Sequence, residues 1–520
     1  MAANARLGAP PLPPYAPAPV TPTTTNPVLD GRAAGVLLHP TSLPGEAGVG
    51  TLGADARHFV DWLAAAGFRY WQILPLVPAG PGESPYSSTS AFLGNAMLVD
   101  LSELVQDGLL SEDEARLELG DAGRVHDDAL SAKQPRLALA GARLPNSRLA
   151  DEYRAFRAKA SWADEAVLFA VLRRVRDDAP FTTWEPGLRD REPEALDAAR
   201  IAHAEAYEAG MAAAFFFDRQ WTRLRAYASE RGVRVLGDLP IYVSGESADV
   251  WAHRDCYQLD AAGHPERVAA VPPDAFSETG QLWGNPLWDW DALAERGYDF
   301  WIERVGRALT LANAVRLDHF RAFSAYYSVA AGATDARVGE WVVGPRDSLF
   351  DALLARFGAL PMVAEDLGLI DEEVHLLRGR LGLPGMRILQ FAFGGGDHEL
   401  HLPWHHPEDS VAYTGTHDND TTLGYWMSAP EHVRDHIKRS LGCDDDPVHA
   451  LHALVNAALH SRAKLAVVPA QDLLGLGSEA RMNTPGIAEG NWRWRMTHAQ
   501  LESLDADFYR GWLKDADRHP

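Results

Sequence analysis

The stretch AVRLDHFR, residues 314–321, indicates how this chain is built. A short apolar run leads into alternating charged and apolar residues and ends in Asp318, His319 and Arg321. This pattern is typical of a buried parallel strand whose end presents a carboxylate to a cleft. Because Arg316, His319 and Arg321 flank Asp318, we expect a depressed pKa and an ionised carboxylate, as a nucleophile requires. The alternative is an Asp–Arg pair that only ties the strand end to its loop.

Two further stretches carry acids in the same position. Glu365 ends the apolar run in MVAEDLG, residues 362–368, and Asp418 follows His417 in VAYTGTHDNDT, residues 411–421. Enzymes that cleave glycosidic bonds need a nucleophilic carboxylate and a carboxylic acid of raised pKa, about 5 Å apart in the retaining geometry. A Mg²⁺ or Ca²⁺ cage is the rival use of such acids. The intervening His and Arg residues repel a cation and make the cage the weaker hypothesis.

Eight short apolar segments recur along the chain between helical or loop sequences. They are residues 33–40, 70–76, 234–243, 314–320, 362–368, 385–393, 411–419 and 465–474. Eight such units predict an α/β fold, the (β/α)8 TIM barrel, with its active site at the C-terminal strand ends. We expect large, mainly helical insertions at that face, at about 78–230 and 244–300, with helices at 54–66, 152–176 and 213–230. A doubly wound sheet would need a single switch point and fits less well.

Composition and net charge indicate the domain organisation of the chain and argue against some classes of partner. Residues 1–30 are rich in Pro and Thr and are expected to be a tail that is disordered or draped on the surface, followed by a single catalytic domain over 31–520. The net charge of −24 argues against nucleic acid or an anionic membrane as a partner. No apolar run reaches the roughly 18 residues of a membrane span. Cys256 and Cys443 form no disulfide framework, which favours a cytoplasmic protein.

Longer motifs, taken in chain order, carry a family resemblance. They are LLHPTSLPG, WQILPL, GDLPIYV, ADVWA, FSETGQLWGNPLW, RLDHFR, AEDLG, GTHDNDT and QDLLGLGSEARMNTPG. With these motifs the chain resembles the amylomaltases, the 4-α-glucanotransferases or disproportionating enzymes of glycoside hydrolase family 77. The resemblance runs from about Gly35 to about Leu501.

The resemblance implies roles for individual residues. Asp318 would be the nucleophile, Glu365 the acid/base, and Asp418 the group that stabilises the transition state. The substrate-binding positions it implies are Tyr86, Asp238, Asp274, Phe276, Gln281, Trp283, Arg316, His319, His417 and Asn483. Neither a metal nor a cofactor is expected. Ala275 replaces the tyrosine of the family's PPDYF motif, and Pro81 stands where the family often has an aromatic. Each change removes stacking on the order of 1 kcal/mol, which bears on long acceptors and cyclic products.

The implied activity is retaining transfer of α-1,4-glucan segments to the 4-hydroxyl of an acceptor glucan or glucose, with cycloamylose formation as a further possibility. The expected partners are maltooligosaccharides, amylose and glycogen-derived dextrins. Two alternatives remain open at this stage. One is a hydrolase of the α-amylase type, which uses the same acids. The other is a catalytically silent glycan-binding protein, although binding alone does not need all three acids.

Overall fold

A computed structural model describes residues 26–121, 123–273, 277–396 and 399–519. The strands within these ranges are β1 Ala33–Leu37, β2 Tyr70–Gln72, β3 Arg234–Leu239, β4 Arg267–Val271, β5 Gln281–Pro286, β6 Ala314–Leu317, β7 Ala325–Ala330, β8 Gly339–Val343, β9 Met362–Ala364, β10 Gly385–Ile388, β11 Ser410–Tyr413 and β12 Leu465–Pro469. The closed barrel has the strand order β1-β12-β11-β10-β9-β6-β3-β2, and all its pairings are parallel. The predicted barrel is confirmed.

The helices that precede β3 are α1 Ala54–Ala66, α2 Leu101–Gln106, α3 Glu112–Ala115, α4 Ala129–Arg143, α5 Ala150–Lys159, α6 Ser161–Arg174, α7 Pro186–Arg189, α8 Pro193–Ala202 and α9 Ala204–Glu230. The later helices are α10 Ala248–Ala252, α11 Trp290–Glu295, α12 Asp299–Leu311, α13 Arg321–Ser324, α14 Asp347–Phe357, α15 Glu372–Arg380, α16 Thr422–Ser428, α17 Glu431–Leu441, α18 Pro447–His460, α19 Ala470–Leu473, α20 His498–Ser503 and α21 Ala506–Asp515. Helices α2 to α9 form the helical insertion between β2 and β3.

The barrel strands are buried on both faces, as expected for parallel strands covered by helices. All five residues of β1 are buried. Side chains from all eight barrel strands fill the barrel interior. Gly35 is required by close packing, because a Cβ there would lie 2.7 Å from Tyr70 Cβ on β2. The interior is therefore a packed core, and polar groups collect where the strands end.

Several predicted boundaries are wrong. The strands expected at 70–76, 234–243, 385–393 and 465–474 end early, at Gln72, Leu239, Ile388 and Pro469. The residues beyond those ends are apolar because they pack under the loops, not because they extend the sheet. The helix expected at 152–176 is two helices, α5 and α6, separated at Ala160, whose ψ of 62° is not helical. The helix expected at 213–230 begins earlier, at Ala204.

The insertions are not all helical. Strands β4 and β5 lie in the excursion expected at 244–300, and β7 and β8 follow β6. Together they form a four-stranded sheet in the order β5-β4-β7-β8, with antiparallel pairings. Sequence reasoning missed this sheet because β4 pairs with β7, and β5 and β6 lie between these two strands in the sequence. Pairing between distant segments produces no local sequence pattern. The sheet brings β5 to the side of the barrel opening near β6.

The N-terminal segment joins the fold earlier than predicted. Residues 1–25 of the predicted tail lie outside the described residues. Asn26 Nδ2 donates to the Met362 carbonyl at 2.9 Å, and Val28 is buried with the barrel-interior side chains. Residues 26–30 therefore pack against the barrel. In the described part of the chain, no helix is both long enough and apolar enough to cross a membrane.

Candidate active site

Two acids lie side by side where neighbouring barrel strands end. Strands β6 and β9 pair in a register that sets Leu317 opposite Ala364. Asp318 and Glu365 are the next residues on each strand. The Glu365 N–H donates to the Leu317 carbonyl at 3.0 Å, which continues the strand pairing to this point. The Asp318 side chain is 28% exposed, so it faces the cleft from its floor.

Backbone amides hold the Glu365 carboxyl group. Its Oε2 accepts from the His319 N–H at 2.6 Å, and its Oε1 accepts from the Leu367 N–H at 3.0 Å. His319 has a φ of 48°, in the left-handed region that non-glycine residues rarely adopt. Strain of this kind collects at functional sites, where the surroundings enforce it. Here it directs the amide after Asp318 toward Glu365.

The pKa values of the two acids are separated. Burial, followed by the charge of Asp318, raises the pKa of Glu365 to about 8. Burial also raises the pKa of Asp318 to about 6, against the opposing effect of Arg316. The predicted depressed pKa of Asp318 is therefore wrong, because loss of water and nearby carboxylates outweigh one guanidinium. Because the pKa of Asp318 is still below that of Glu365, Asp318 is ionised and Glu365 is protonated near neutral pH. A nucleophile and an acid require these two states.

A buried network fixes the position of Asp318. Arg316 Nη2 donates to Asp318 Oδ1 at 2.8 Å and to Asp238 Oδ2 at 2.8 Å. Tyr86 donates its hydroxyl to the same Asp238 oxygen at 2.7 Å. The Asp238 side chain is 0% exposed. Asp238 therefore lies beneath Arg316 and Tyr86 and sets their positions.

The third acid lies on the loop after β11. Asp418 Oδ1 accepts from Asn483 Nδ2 at 2.6 Å, and Asp418 Oδ2 lies 3.4 Å from His417 Nε2. The Asp418 side chain is 45% exposed, so its free face is available to a ligand. The charge of Asp418 contributes to the raised pKa of Asp318, which places both acids in one pocket.

Aromatic rings form the wall beside His417. The rings of Tyr86 and His417 are stacked at a centroid distance of 5.3 Å and an interplanar angle of 10°. Trp492 packs against both rings, at 5.7 Å from Tyr86 and 5.8 Å from His417. Burial lowers the pKa of His417, so the imidazole is neutral. Sequence reasoning missed Trp492, although the run NWRWR at residues 491–495 contains it.

A second aromatic group lies on the Glu365 side of the pocket. Trp283 on β5 meets the His319 ring edge to face at a centroid distance of 4.8 Å and is 38% exposed. Its indole N–H donates to Gln281 Oε1 at 3.1 Å. Asp274, Ala275 and Phe276 lie outside the described residues. The predicted residues that the structure describes are thus brought together around one opening of the barrel.

This arrangement suits covalent glycosyl transfer. An ionised carboxylate and a protonated carboxyl group lie on adjacent strand ends, and the aromatic walls can stack on sugar rings. Among the described residues, no group of three or more His, Cys, Asp or Glu side chains could hold a metal ion.

Comparison with known proteins identifies close relatives. A family profile described as 4-alpha-glucanotransferase matches residues 38–501. The 4-alpha-glucanotransferase of Thermus thermophilus is 45% identical over 481 residues, which cover 90% of this chain and 96% of the relative. The chloroplastic/amyloplastic 4-alpha-glucanotransferase DPE1 of Oryza sativa subsp. japonica is 46% identical over 486 residues, which cover 92% of this chain and 82% of the relative.

Solved structures agree with this match. The amylomaltase from Streptococcus agalactiae in complex with acarbose has a TM-score of 0.91 at 32% identity, and the match covers 94% of this chain and 100% of that chain. The amylomaltase from Corynebacterium glutamicum has a TM-score of 0.77 at 18% identity over 95% of this chain and 76% of that chain. The second likeness shows the shared fold alone.

Proposed function

The chain belongs to the 4-alpha-glucanotransferase family, glycoside hydrolase family 77, and on this premise we propose that Asp318 is its nucleophile, Glu365 its acid and base, and Asp418 its transition-state stabiliser. Family membership confirms the predicted enzyme class over the hydrolase and binding-protein alternatives. The residue roles rest above all on one observation. Two neighbouring strand ends carry carboxyl groups, Asp318 bound by Arg316 and Glu365 bound by two backbone amides, and burial with the charge of Asp318 raises the pKa of Glu365 above that of Asp318.

In the first step, Glu365 gives its proton to the glycosidic oxygen while Asp318 attacks the anomeric carbon. The bond between that carbon and the leaving oxygen breaks, and the donor's reducing-end segment departs with a free 4-hydroxyl. The glucan remains attached to Asp318 as an ester. Arg316, which donates to Asp318 Oδ1, orients the carboxylate for this attack.

In the second step, Glu365 has lost its proton and acts as a base. It removes the proton from the 4-hydroxyl of an acceptor, whose oxygen attacks the anomeric carbon and releases Asp318. A new α-1,4 bond forms and Glu365 is protonated again. The backbone amides of His319 and Leu367 donate to the two Glu365 carboxyl oxygens and hold the group in place. Asp418 accepts hydrogen bonds from sugar hydroxyls, which strengthen as the ring distorts.

We propose α-1,4-glucans as donors and acceptors: maltooligosaccharides, amylose and glycogen-derived dextrins. The wall of Tyr86, His417 and Trp492 supports a sugar-stacking surface on the Asp418 side, and Trp283 supports one beside Glu365. We also propose a reducing cytoplasm as the compartment, since Cys256 and Cys443 are both free.

The test is incubation with pure maltotriose, with products followed by chromatography and reducing ends assayed in parallel. Transfer predicts glucose and a ladder of longer maltooligosaccharides at a constant number of reducing ends. Reducing ends that rise while only glucose and maltose appear would contradict the proposal and indicate hydrolysis. The Glu365→Gln and Asp318→Asn variants serve as controls, because both should abolish the ladder.

A further inference from the structure

The loop that carries Asp418 borders an open pocket on one side. We call residues 415–421, which lie in the connection between β11 and α16, the Asp418 loop. A pocket that opens to solvent borders it and is lined in part by Thr416, His417, Asn419 and Asp420. Atoms that face a cavity lose the contacts that would hold them in a close-packed interior. The position of the loop therefore depends on directed hydrogen bonds.

Both ends of the Asp418 loop are bonded to one buried carboxylate, Asp472. Asp472 Oδ2 accepts from Thr414 Oγ1 at 2.6 Å and from Thr422 Oγ1 at 2.6 Å. Asp472 Oδ1 accepts from the Thr422 N–H at 2.7 Å. Thr414 immediately precedes the loop and Thr422 immediately follows it. Asp472 is 3% exposed, so these bonds are shielded from water.

The sheet ends where these bonds begin. The pairing of strands β11 and β12 ends at Tyr413 and Val467. Asp472 lies on α19, just after β12. Its side chain forms a hydrogen bond with Thr414, one residue past Tyr413. These hydrogen bonds therefore continue the connection between β11 and β12 to Thr414 and Thr422, the residues on either side of the Asp418 loop. Hydrogen bonds that involve a charged group are shorter and stronger than neutral ones, which suits this role.

We propose that Asp472 is a positioning residue for the transfer reaction, which fixes both ends of the Asp418 loop and so sets the place of the Asp418 carboxylate. This inference rests on the proposed function, because it assumes that Asp418 acts in the transition state. Within the described residues, the hydrogen bonds of the Asp472 carboxylate go to Thr414 and Thr422, at the two ends of the loop. Its effect should therefore fall on the chemical step rather than on ground-state glucan binding.

The experiment compares Asp472→Asn with the wild-type chain in maltotriose disproportionation. Asn retains the size of the side chain but replaces one acceptor oxygen with a donor. We expect kcat to fall about 10- to 100-fold, as for small displacements of a reacting group, with KM little changed. Asp107→Asn is the matched control, since Asp107 is 2% exposed and pairs with Arg148 and Arg219 in the helical insertion. It should lower stability but leave kcat unchanged.

A double-mutant cycle separates positioning from general damage. In the Asp418→Asn background, adding Asp472→Asn should cause little further loss of kcat. An equal loss in both backgrounds would overturn the inference, as would a folded Asp472→Asn variant with wild-type kcat. If Asp472→Asn does not fold, Thr414→Val removes one of the same bonds and should lower kcat in the same direction. If Asp418→Asn alone retains wild-type kcat, the proposed role of Asp418 fails instead.

Discussion

Replacement of Arg316 by Met tests whether charge sets the working pH of the site. In the wild-type chain the acid pair has apparent pKa values of about 6 for Asp318 and about 8 for Glu365. Below the first value the nucleophile is protonated, and above the second the acid has lost its proton. The expected profile of kcat/KM is therefore bell-shaped, with its optimum at about pH 7.

The size of the effect follows from the distance between the charges. Arg316 Nη2 lies 2.8 Å from Asp318 Oδ1. At an effective dielectric of about 20 and a charge separation of about 4 Å, the attraction is about 4 kcal/mol, or at most roughly 3 pKa units. Removal of the guanidinium takes away the interaction that lowers the pKa of Asp318, so this pKa rises. A rise of one to two units lowers the ionised fraction at pH 7, and with it kcat/KM, by roughly 2- to 10-fold.

The assay is the pH profile of kcat/KM for maltotriose disproportionation by the Arg316→Met variant. Arg316→Lys is the matched control, because it retains the positive charge and loses the forked geometry. The Lys variant should be less active while its acidic limb stays close to that of the wild type. If the acidic limb of the Met variant also stays at about pH 6, burial alone sets the pKa of Asp318 and the electrostatic argument is refuted.

Further predictions concern turnover, the aromatic wall and packing. Asp318→Asn should abolish turnover and leave glucan binding largely intact by calorimetry; near-normal transfer would show that the nucleophile is misassigned. Tyr86→Phe loses the hydroxyl bond to Asp238, a loss of about 1 kcal/mol, and should reduce kcat by roughly tenfold or less. Tyr86→Leu, which also removes the ring from His417, should in addition weaken binding of maltooligosaccharides. Gly35→Ala should lower the free energy of unfolding by about 1–3 kcal/mol in urea titrations, because its Cβ would crowd Tyr70.

The barrel could be predicted because each of its strands has a recognisable local sequence pattern. Each is a short apolar run, and a motif with a polar or charged residue follows most of them, as at Asp318 and Glu365. Strand lengths could not be predicted, since residues such as those at 73–76 are apolar in the loops as well as in the sheet. The sheet of β5, β4, β7 and β8 has no such local pattern, because its strand order depends on pairing between segments that are distant in the sequence.

The residue types at the strand ends predicted the three acids, and the resemblance of the longer motifs implied the family and the residues that could meet a glucan. Only the tertiary structure decided how those residues act on one another. The sequence pattern set Arg316 beside Asp318 and implied a lowered pKa, but in the folded chain desolvation prevails and the pKa is raised. Trp492 and Asp472 were likewise invisible as site residues, since their roles come from contacts with Tyr86, His417 and Thr414 far away in the chain. Burial and long-range contact depend on every segment that packs around a residue, and no local pattern records them.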